Sequence, residues 1–429
     1  ALKLQNLLEQ SGTIVILTRS DENAIYDIEA KTLKQKKISD IHNRVKIGNE
    51  SSADLFVSIH LNKIPQQQYD GWQTFYKQGS EEGKKLAAIY GAENVYDYSL
   101  GNPSVEPPLE VKKAIYHILE TEEPNLIHGY PNNSGFEDVR QAVAEHLNKK
   151  VGTAFSFENI VITNGAAAAL NIIFKCILNP GDEIITFAPF FTEYRNYAAN
   201  YNATLTVVPA NLETFEVNFD EFEKLITPRT RGVLMNTPNN PSGVVYSEET
   251  IKKIAAVMEK KQAEFGTDIY LISDEPYREL VYENVEVPYV SKYYKNTFVA
   301  YSFSKSLSLP GERIGYLVAN SEMADFEKMM YALNVANRVC GFVNANSLFE
   351  RVVPYCLDCK VDIEIYNRNR IDLYNKLKEL GFKCVKPVGA FYMFPETPID
   401  DDVAFCNAAK EFNLLLVPGS GFGCKGHMR

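Results

Sequence analysis

The chain has 429 residues, enough for two or more domains and a sizeable core. It is 45% hydrophobic and 23% charged, with a formal net charge of −11. That balance argues against non-specific binding to nucleic acid or to an anionic membrane, and no apolar run is long enough to span a bilayer. The seven cysteines are odd in number and irregularly spaced, which predicts a reduced, cytoplasmic protein. Cys356 and Cys359 make a single C-x-x-C pair inside a predicted helix. With no second pair, they read as structural thiols rather than a zinc or redox site.

From the first residue, Leu2, Leu4, Leu7 and Leu8 give Ala1 to Glu9 a helical pattern, ended by Ser11-Gly12. Thr13 to Thr18 (TIVILT) reads as a strand, Asp40 to Glu50 as a helix, and Asp54 to His60 (DLFVSIH) as a second strand. The charge run Lys31 to Lys37 reads as a solvated face. His60 stands at a strand end, where a histidine ligates a metal or simply packs. The strings VILTRSDE, IHNRVKIGN and ADLFVSIHLN resemble the zinc-dependent N-acetylmuramoyl-L-alanine amidases. The resemblance implies that His60 corresponds to one zinc ligand of three. A catalytic zinc site takes about three protein ligands and an open position. Residues 1–88 are therefore expected to be a partial, inactive amidase-like α/β fragment, with His60 a lone remnant and no working metal site. The string EEGKKLAA, Glu81 to Ala88, suits both this fragment and the opening helix of the next unit, and no flexible linker separates them.

Beyond it, apolar strands and amphipathic helices alternate. Val111–Leu119 and Glu137–Leu147 read as helices, the second capped by Ser134. Strands are predicted at Ile160–Thr163, Glu183–Phe187, Leu205–Pro209, Gly232–Asn236, Ile269–Ser273 and Phe298–Ser302. Helices are predicted between several of them, notably Ala167–Leu178 and Glu248–Phe265. Short apolar strands between helices indicate an α/β fold, a mostly parallel sheet with helices on both faces. Such sheets bind ligands beyond the carboxyl ends of their strands.

Polar motifs fall at those ends. Asn164-Gly165-Ala166-Ala167 opens a helix with small residues, which either expose backbone N–H groups to a phosphate or allow close packing. Asn236 to Gly243 (NTPNNPSG) is either an Asn/Pro turn or a turn that presents Asn240 to a ligand oxygen. Asp274 is a carboxylate at a buried strand end, costly without a partner such as a protonated ring nitrogen. Tyr301 to Tyr316 (YSFSKSLSLPGERIGY) holds Lys305 among hydroxyls with Arg313 eight residues on. Taken alone it is a solvated turn; as a site it would hold a phosphorylated aldehyde on the lysine.

The ordered set Gly165, Asn240, Asp274, Lys305 and Arg313 resembles the fold-type I, class I/II aminotransferases that use pyridoxal 5′-phosphate, over residues 89–429. The resemblance implies a large domain at about 120–325 and a small domain from 89–119 plus 326–429. It implies Lys305 as the Schiff-base lysine and Asp274 as the partner of the pyridine nitrogen. It places Asn240 and Tyr277 on the ring oxygen and Phe191 on the ring face. Gly165, Ala166, Ala167, Ser302 and Arg313 would bind the phosphate. Tyr130 would reach the phosphate of a neighbouring subunit in a homodimer, with His128 beside it. Gly101, in the covering segment Leu100 to Pro103, would join Asn240 and Arg429 around an amino-acid or 2-oxo-acid substrate. Arg429 would clamp its carboxylate, with weak support expected at the last residue. Gly389 to Tyr392 would be a small-domain strand; Tyr366, Tyr374 and Tyr392 read as packing. A β-lyase or decarboxylase of the same fold, a cell-wall hydrolase and an inactive chimera are the other readings.

Overall fold

The computed structural model describes residues 96–99, 101–412 and 414–429, and within the N-terminal part Ser39, Asn43, Lys46 and Ile47, all four helical. The predicted strands 13–18 and 54–60, His60 and Leu100 lie outside the described residues. The chain divides into two compact units, Ala1–Val95 and Tyr96–Arg429.

The second unit begins with β1 (Tyr96–Asp97), then helices α1 (Leu109–Thr121), α2 (Pro124–His128) and α3 (Glu137–Val151). Strands and helices then alternate: β2 (Ile160–Thr163), α4 (Ala166–Ile177), β3 (Glu183–Phe187), α5 (Tyr194–Ala199), β4 (Thr204–Val208), α6 (Phe219–Leu225), β5 (Thr230–Asn236), α7 (Glu248–Phe265), β6 (Tyr270–Asp274). Then come β7 (Thr297–Ser302), the short α8 (Phe303–Ser306), β8 (Gly315–Ala319), and helices α9 (Phe326–Val339), α10 (Ser347–Cys356), α11 (Ile363–Glu379) and α12 (Asp402–Ala409). The closing β9 (Leu414–Leu415) pairs in parallel with β1.

Seven strands form one sheet in the order β2-β8-β7-β6-β5-β3-β4. All run parallel except β8, which is antiparallel to both neighbours. The strand sequences explain the architecture. IVIT, EIITF, YLISD, TFVAYS and GYLVA are almost continuously buried, as strands covered on both faces must be. β4, at the edge, is only partly buried. The helices carry clear start and stop signals. Ser247 caps α7 by accepting from the Thr250 N–H at 3.1 Å, Gly266 ends it in the left-handed conformation, and Ile251, Ile254, Ala255 and Met258 form its buried stripe.

Two sequence expectations need correction here. Ser134 does not cap α3: its hydroxyl donates to Asn334 Oδ1, and the N-cap position is Phe136 without a side-chain cap. Cys359 is not helical, because α10 ends at Cys356. All seven cysteines are free, and no helix among the described residues is long and apolar enough to cross a membrane.

Register sets up one edge of the sheet. Asn236 pairs with Asp274, Asp274 with Ala300, and Ser302 and Thr163 both face Gly315. The carboxyl ends of the parallel strands thus align. Since β8 runs the other way, its amino end, just after Arg313, arrives at the same edge. Gly315 is required there: a Cβ would collide with the Tyr301 carbonyl and lie 2.9 Å from Gly165 Cα.

Candidate active site

An anion cradle lies at the join of β2 and α4. Gly165 is the N-cap of α4, with φ +86° and no side-chain cap, so the first N–H groups of the helix stay open at Ala166 and Ala167. A Cβ on Gly165 would sit 3.3 Å from both Arg313 Nη2 and Ser302 Oγ. Backbone donors, a hydroxyl and a guanidinium therefore converge on a space that any side chain at Gly165 would fill. Arg313 itself adopts a left-handed φ of +53° and donates to the carbonyls of Pro310 (2.9 Å) and Asn164 (3.3 Å). Strain of this kind collects where a side chain must be aimed.

Next along the edge is Asp274, buried at the end of β6. Burial raises its carboxyl to about 7; the hydrogen bond from Tyr194 pulls it down and Glu275 pushes it further up. The Tyr194 hydroxyl donates to Oδ2 at 2.5 Å, while Oδ1 is buried with no hydrogen-bond partner. An orphaned, buried carboxylate oxygen calls for a charged donor, and a protonated ring nitrogen fits that need. Phe191 packs edge-on against Tyr194, with ring centroids 5.6 Å apart, and so shares its support.

β5 leads into the turn that carries Asn240. Asn236 ties two strand ends together: its Nδ2 donates to the Asp274 carbonyl at 2.8 Å, and its Oδ1 accepts the Asn240 N–H at 2.7 Å. Asn240 is buried and its Oδ1 accepts from Arg429 Nη1 at 3.0 Å.

Lys305, in the short helix α8, is part-buried. Its Nζ donates to the Gly101 carbonyl at 2.5 Å and lies 5.5 Å from the centre of the Phe391 ring. Burial lowers its pKa to about 8, and the positive charges of Arg313 and Arg429 act in the same direction. Tyr277 and Tyr392 are both buried, their hydroxyl oxygens 2.7 Å apart.

Arg429 is held more firmly than its terminal position predicts. Its backbone exchanges two hydrogen bonds with Val417. Its Nη2 donates to the Ser99 carbonyl at 2.8 Å, and its guanidinium lies 4.9 Å from the centres of both the Tyr392 and Phe422 rings. Nε is buried and unpartnered.

The structure therefore brings together Gly101, Gly165, Asn240, Asp274, Ser302, Lys305, Arg313 and Arg429, with Phe191 and Tyr277 joined through their neighbours. Tyr130 is 91% exposed and His128 is exposed beside it, and neither takes part in the contacts described above. Sequence reasoning misses three residues. Asn236 and Tyr194 lie close to residues it does single out, four before Asn240 and three after Phe191. Tyr392 reads as packing, but it touches the Tyr277 hydroxyl and lies under Arg429. Tyr366 also does more than pack: its hydroxyl accepts the Ser104 N–H at 3.1 Å, and its ring stacks on Phe391. Gly389 to Tyr392 is a bend with one bridge, Gly389 to Val281, rather than a strand.

The family model for aminotransferase class I and II matches residues 92–429. A model for N-acetylmuramoyl-L-alanine amidase matches residues 1–166, overlapping the first over 92–166. Aspartate aminotransferase of Thermotoga maritima is 30% identical over 353 residues, covering 81% of this chain and 89% of that protein. A probable N-acetyl-LL-diaminopimelate aminotransferase of Bacillus subtilis is 31% identical, covering 78% and 83%. The crystal structure of an amino transferase from Eubacterium rectale superposes with a TM-score of 0.78 at 48% identity, covering 81% of this chain and 88% of that one. The chain belongs to the class I and II aminotransferases, enzymes that transfer amino groups with pyridoxal 5′-phosphate.

Proposed function

We propose that this chain moves the amino group of an L-amino acid, either aspartate or one with an aromatic or neutral side chain, to a 2-oxo acid such as 2-oxoglutarate. One observation carries the reading. Lys305 Nζ donates to the Gly101 carbonyl and Arg429 Nη2 to the Ser99 carbonyl, two residues apart. An amine and a guanidinium thus flank one segment that spans at most about 7 Å, a reach that suits the α-carbon and the carboxylate of one amino acid.

The residues present fit the cofactor. Gly165, Ala166, Ala167, Ser302 and Arg313 would hold its phosphate, Asp274 its ring nitrogen, Asn240 and Tyr277 its ring oxygen, and Phe191 its ring face. When bound, the cofactor supplies an electron sink for the substrate's α-carbon. The protein's part is positional and acid–base. Asp274, as an anion, keeps the ring nitrogen protonated. Arg429 takes the substrate carboxylate in two parallel hydrogen bonds, exchanging its contacts with Asn240 and Ser99 for it. Lys305, about half neutral near pH 8, would serve as the acid–base group that takes and returns the proton of the substrate's α-carbon. Gly101 covers the substrate from the side of the lysine.

The chain further reads as a homodimer in which Tyr130, exposed in one protomer, reaches its partner's phosphate site. Its cytoplasmic placement rests on seven cysteines without a disulfide. Residues 1–88 are proposed to be an inactive amidase-like fragment whose single candidate ligand is His60. Residues 120–325 form the large domain, and 89–119 with 326–429 the small one. The β1–β9 pairing, which joins the two parts of the small domain, supports that division.

Mixing the protein with pyridoxal 5′-phosphate should give the absorbance band of the lysine-bound cofactor, and Lys305→Ala should abolish it. A panel of amino donors with 2-oxoglutarate should then yield glutamate. Release of ammonia and pyruvate in its place would identify a lyase and overturn the transfer reading.

A further inference from the structure

Tyr392 meets three groups assigned above to cofactor and substrate. Its hydroxyl oxygen is 2.7 Å from that of Tyr277, and both side chains are buried. The same hydroxyl packs on Gly101, where a Cβ would collide with it, and the Gly101 carbonyl accepts from Lys305. The face of its ring lies 4.9 Å from the Arg429 guanidinium. The titratable and charged groups facing the pair are Asp274, Arg429 and Tyr366.

Each phenol has one proton to give. If Tyr277 donates to Tyr392, it has none left for an anionic ring oxygen, which itself has no proton to offer. If Tyr392 donates to Tyr277, the Tyr277 proton stays available for the ring oxygen, and each bond polarises the next. The cation over the Tyr392 ring favours negative charge on that phenol and so makes it the better donor. Both arguments select one direction.

We propose that Tyr392 is a positioning residue that donates its hydroxyl proton to Tyr277 and thereby commits the Tyr277 O–H to the cofactor's ring oxygen. The proposal rests on the reading of Tyr277 given under Proposed function. Losing a donor leaves the ring oxygen more basic, so it holds the proton it shares with the lysine-derived nitrogen more tightly. The readout is the pH midpoint of the absorbance change of the lysine-bound cofactor, which is independent of turnover.

In Tyr277→Phe the midpoint should rise. In Tyr392→Phe, which keeps the ring beneath Arg429 and leaves Tyr277 its own proton, it should rise by about a few tenths of a pH unit, the cooperative share of the Tyr277 hydrogen bond. In the double variant, Tyr392→Phe should add nothing. A rise in Tyr277→Phe with no change in Tyr392→Phe, or equal Tyr392→Phe shifts in both backgrounds, overturns the relay. No change in Tyr277→Phe overturns the underlying cofactor reading instead. Should Tyr392→Phe fail to fold, difluorotyrosine at position 392, a stronger donor, should lower the midpoint; an unchanged value overturns the proposal.

Discussion

Replacing Tyr194 with Phe removes one hydroxyl and keeps the ring that packs on Phe191. That hydroxyl makes the one hydrogen bond found for the Asp274 side chain among the described residues, at 2.5 Å, because Oδ1 has no partner. A hydrogen bond to a charged group is worth about 1.5–3 kcal/mol, or about 1–2 pH units at 1.36 kcal/mol each. In the wild type the carboxyl is already raised to about 7, so at that pH roughly half is ionised. In Tyr194→Phe the ionised share falls to roughly a few per cent. The sign comes from the raised carboxyl: the anion prevails above its pKa and is lost as pH falls through it. Only the anion pairs with a protonated ring nitrogen. Affinity for pyridoxal 5′-phosphate should therefore weaken below about pH 7 in the wild type, and this fall should begin about 1–2 units higher in the variant, with Kd at pH 7 raised about 10-fold. The assay is absorbance titration of cofactor-free protein from pH 6 to 9. Identical Kd values at every pH would refute the reasoning.

Three further outcomes are expected. Arg429→Lys loses the fork that reaches both Asn240 and Ser99, so KM for the amino donor should rise about 10-fold or more while cofactor Kd stays unchanged. Steady-state kinetics beside cofactor titration separates the two. Gly315→Ala drives a methyl into the Tyr301 carbonyl and towards Gly165, so it should cost about 1–3 kcal/mol and lower Tm by several degrees in a thermal melt. In cofactor-free protein, the amine of Lys305 should become reactive with a midpoint near pH 8, where an exposed lysine titrates near about 10.4. The pH profile of trinitrophenylation at that residue measures this.

Much of the site is legible in the sequence because it is built from strand ends. An apolar run that ends in Gly165, Asn240, Asp274 or Lys305 gives both the strand and its functional terminus from local sequence. β2, β3 and α7 match their predicted spans to the residue, and most other boundaries fall within one or two. What local pattern cannot show is which distant side chains meet. Tyr194 looks like one aromatic among several until α5 turns it onto Asp274, eighty residues away in sequence. Tyr392 sits in a run, GAFY, that is apolar enough to pass for core, and its role depends on a partner at Tyr277. Arg429 looks unsupported because the groups that hold it come from Ser99, Asn240, Tyr392 and Phe422. β8 escapes sequence reading because GYLVA is short and adjoins a turn already assigned to function. Its antiparallel sense depends on which neighbours it pairs with, which the sequence does not state.

That reversed strand acts as the site's ruler. Sliding β8 by one residue against β2 and β7 would move it about 3.3 Å along their axes and exchange its two faces. The sheet would keep most of its apolar burial, since GYLVA is buried on both sides, although a side chain would then replace Gly315 against the Tyr301 carbonyl. Arg313, however, would be carried out of step with Gly165 and Ser302. A misregistered chain would thus look well folded by secondary-structure content and yet fail to retain a phosphate. In preparations of this protein, the fraction that takes up cofactor is accordingly a sharper measure of correct folding than any spectrum of the backbone.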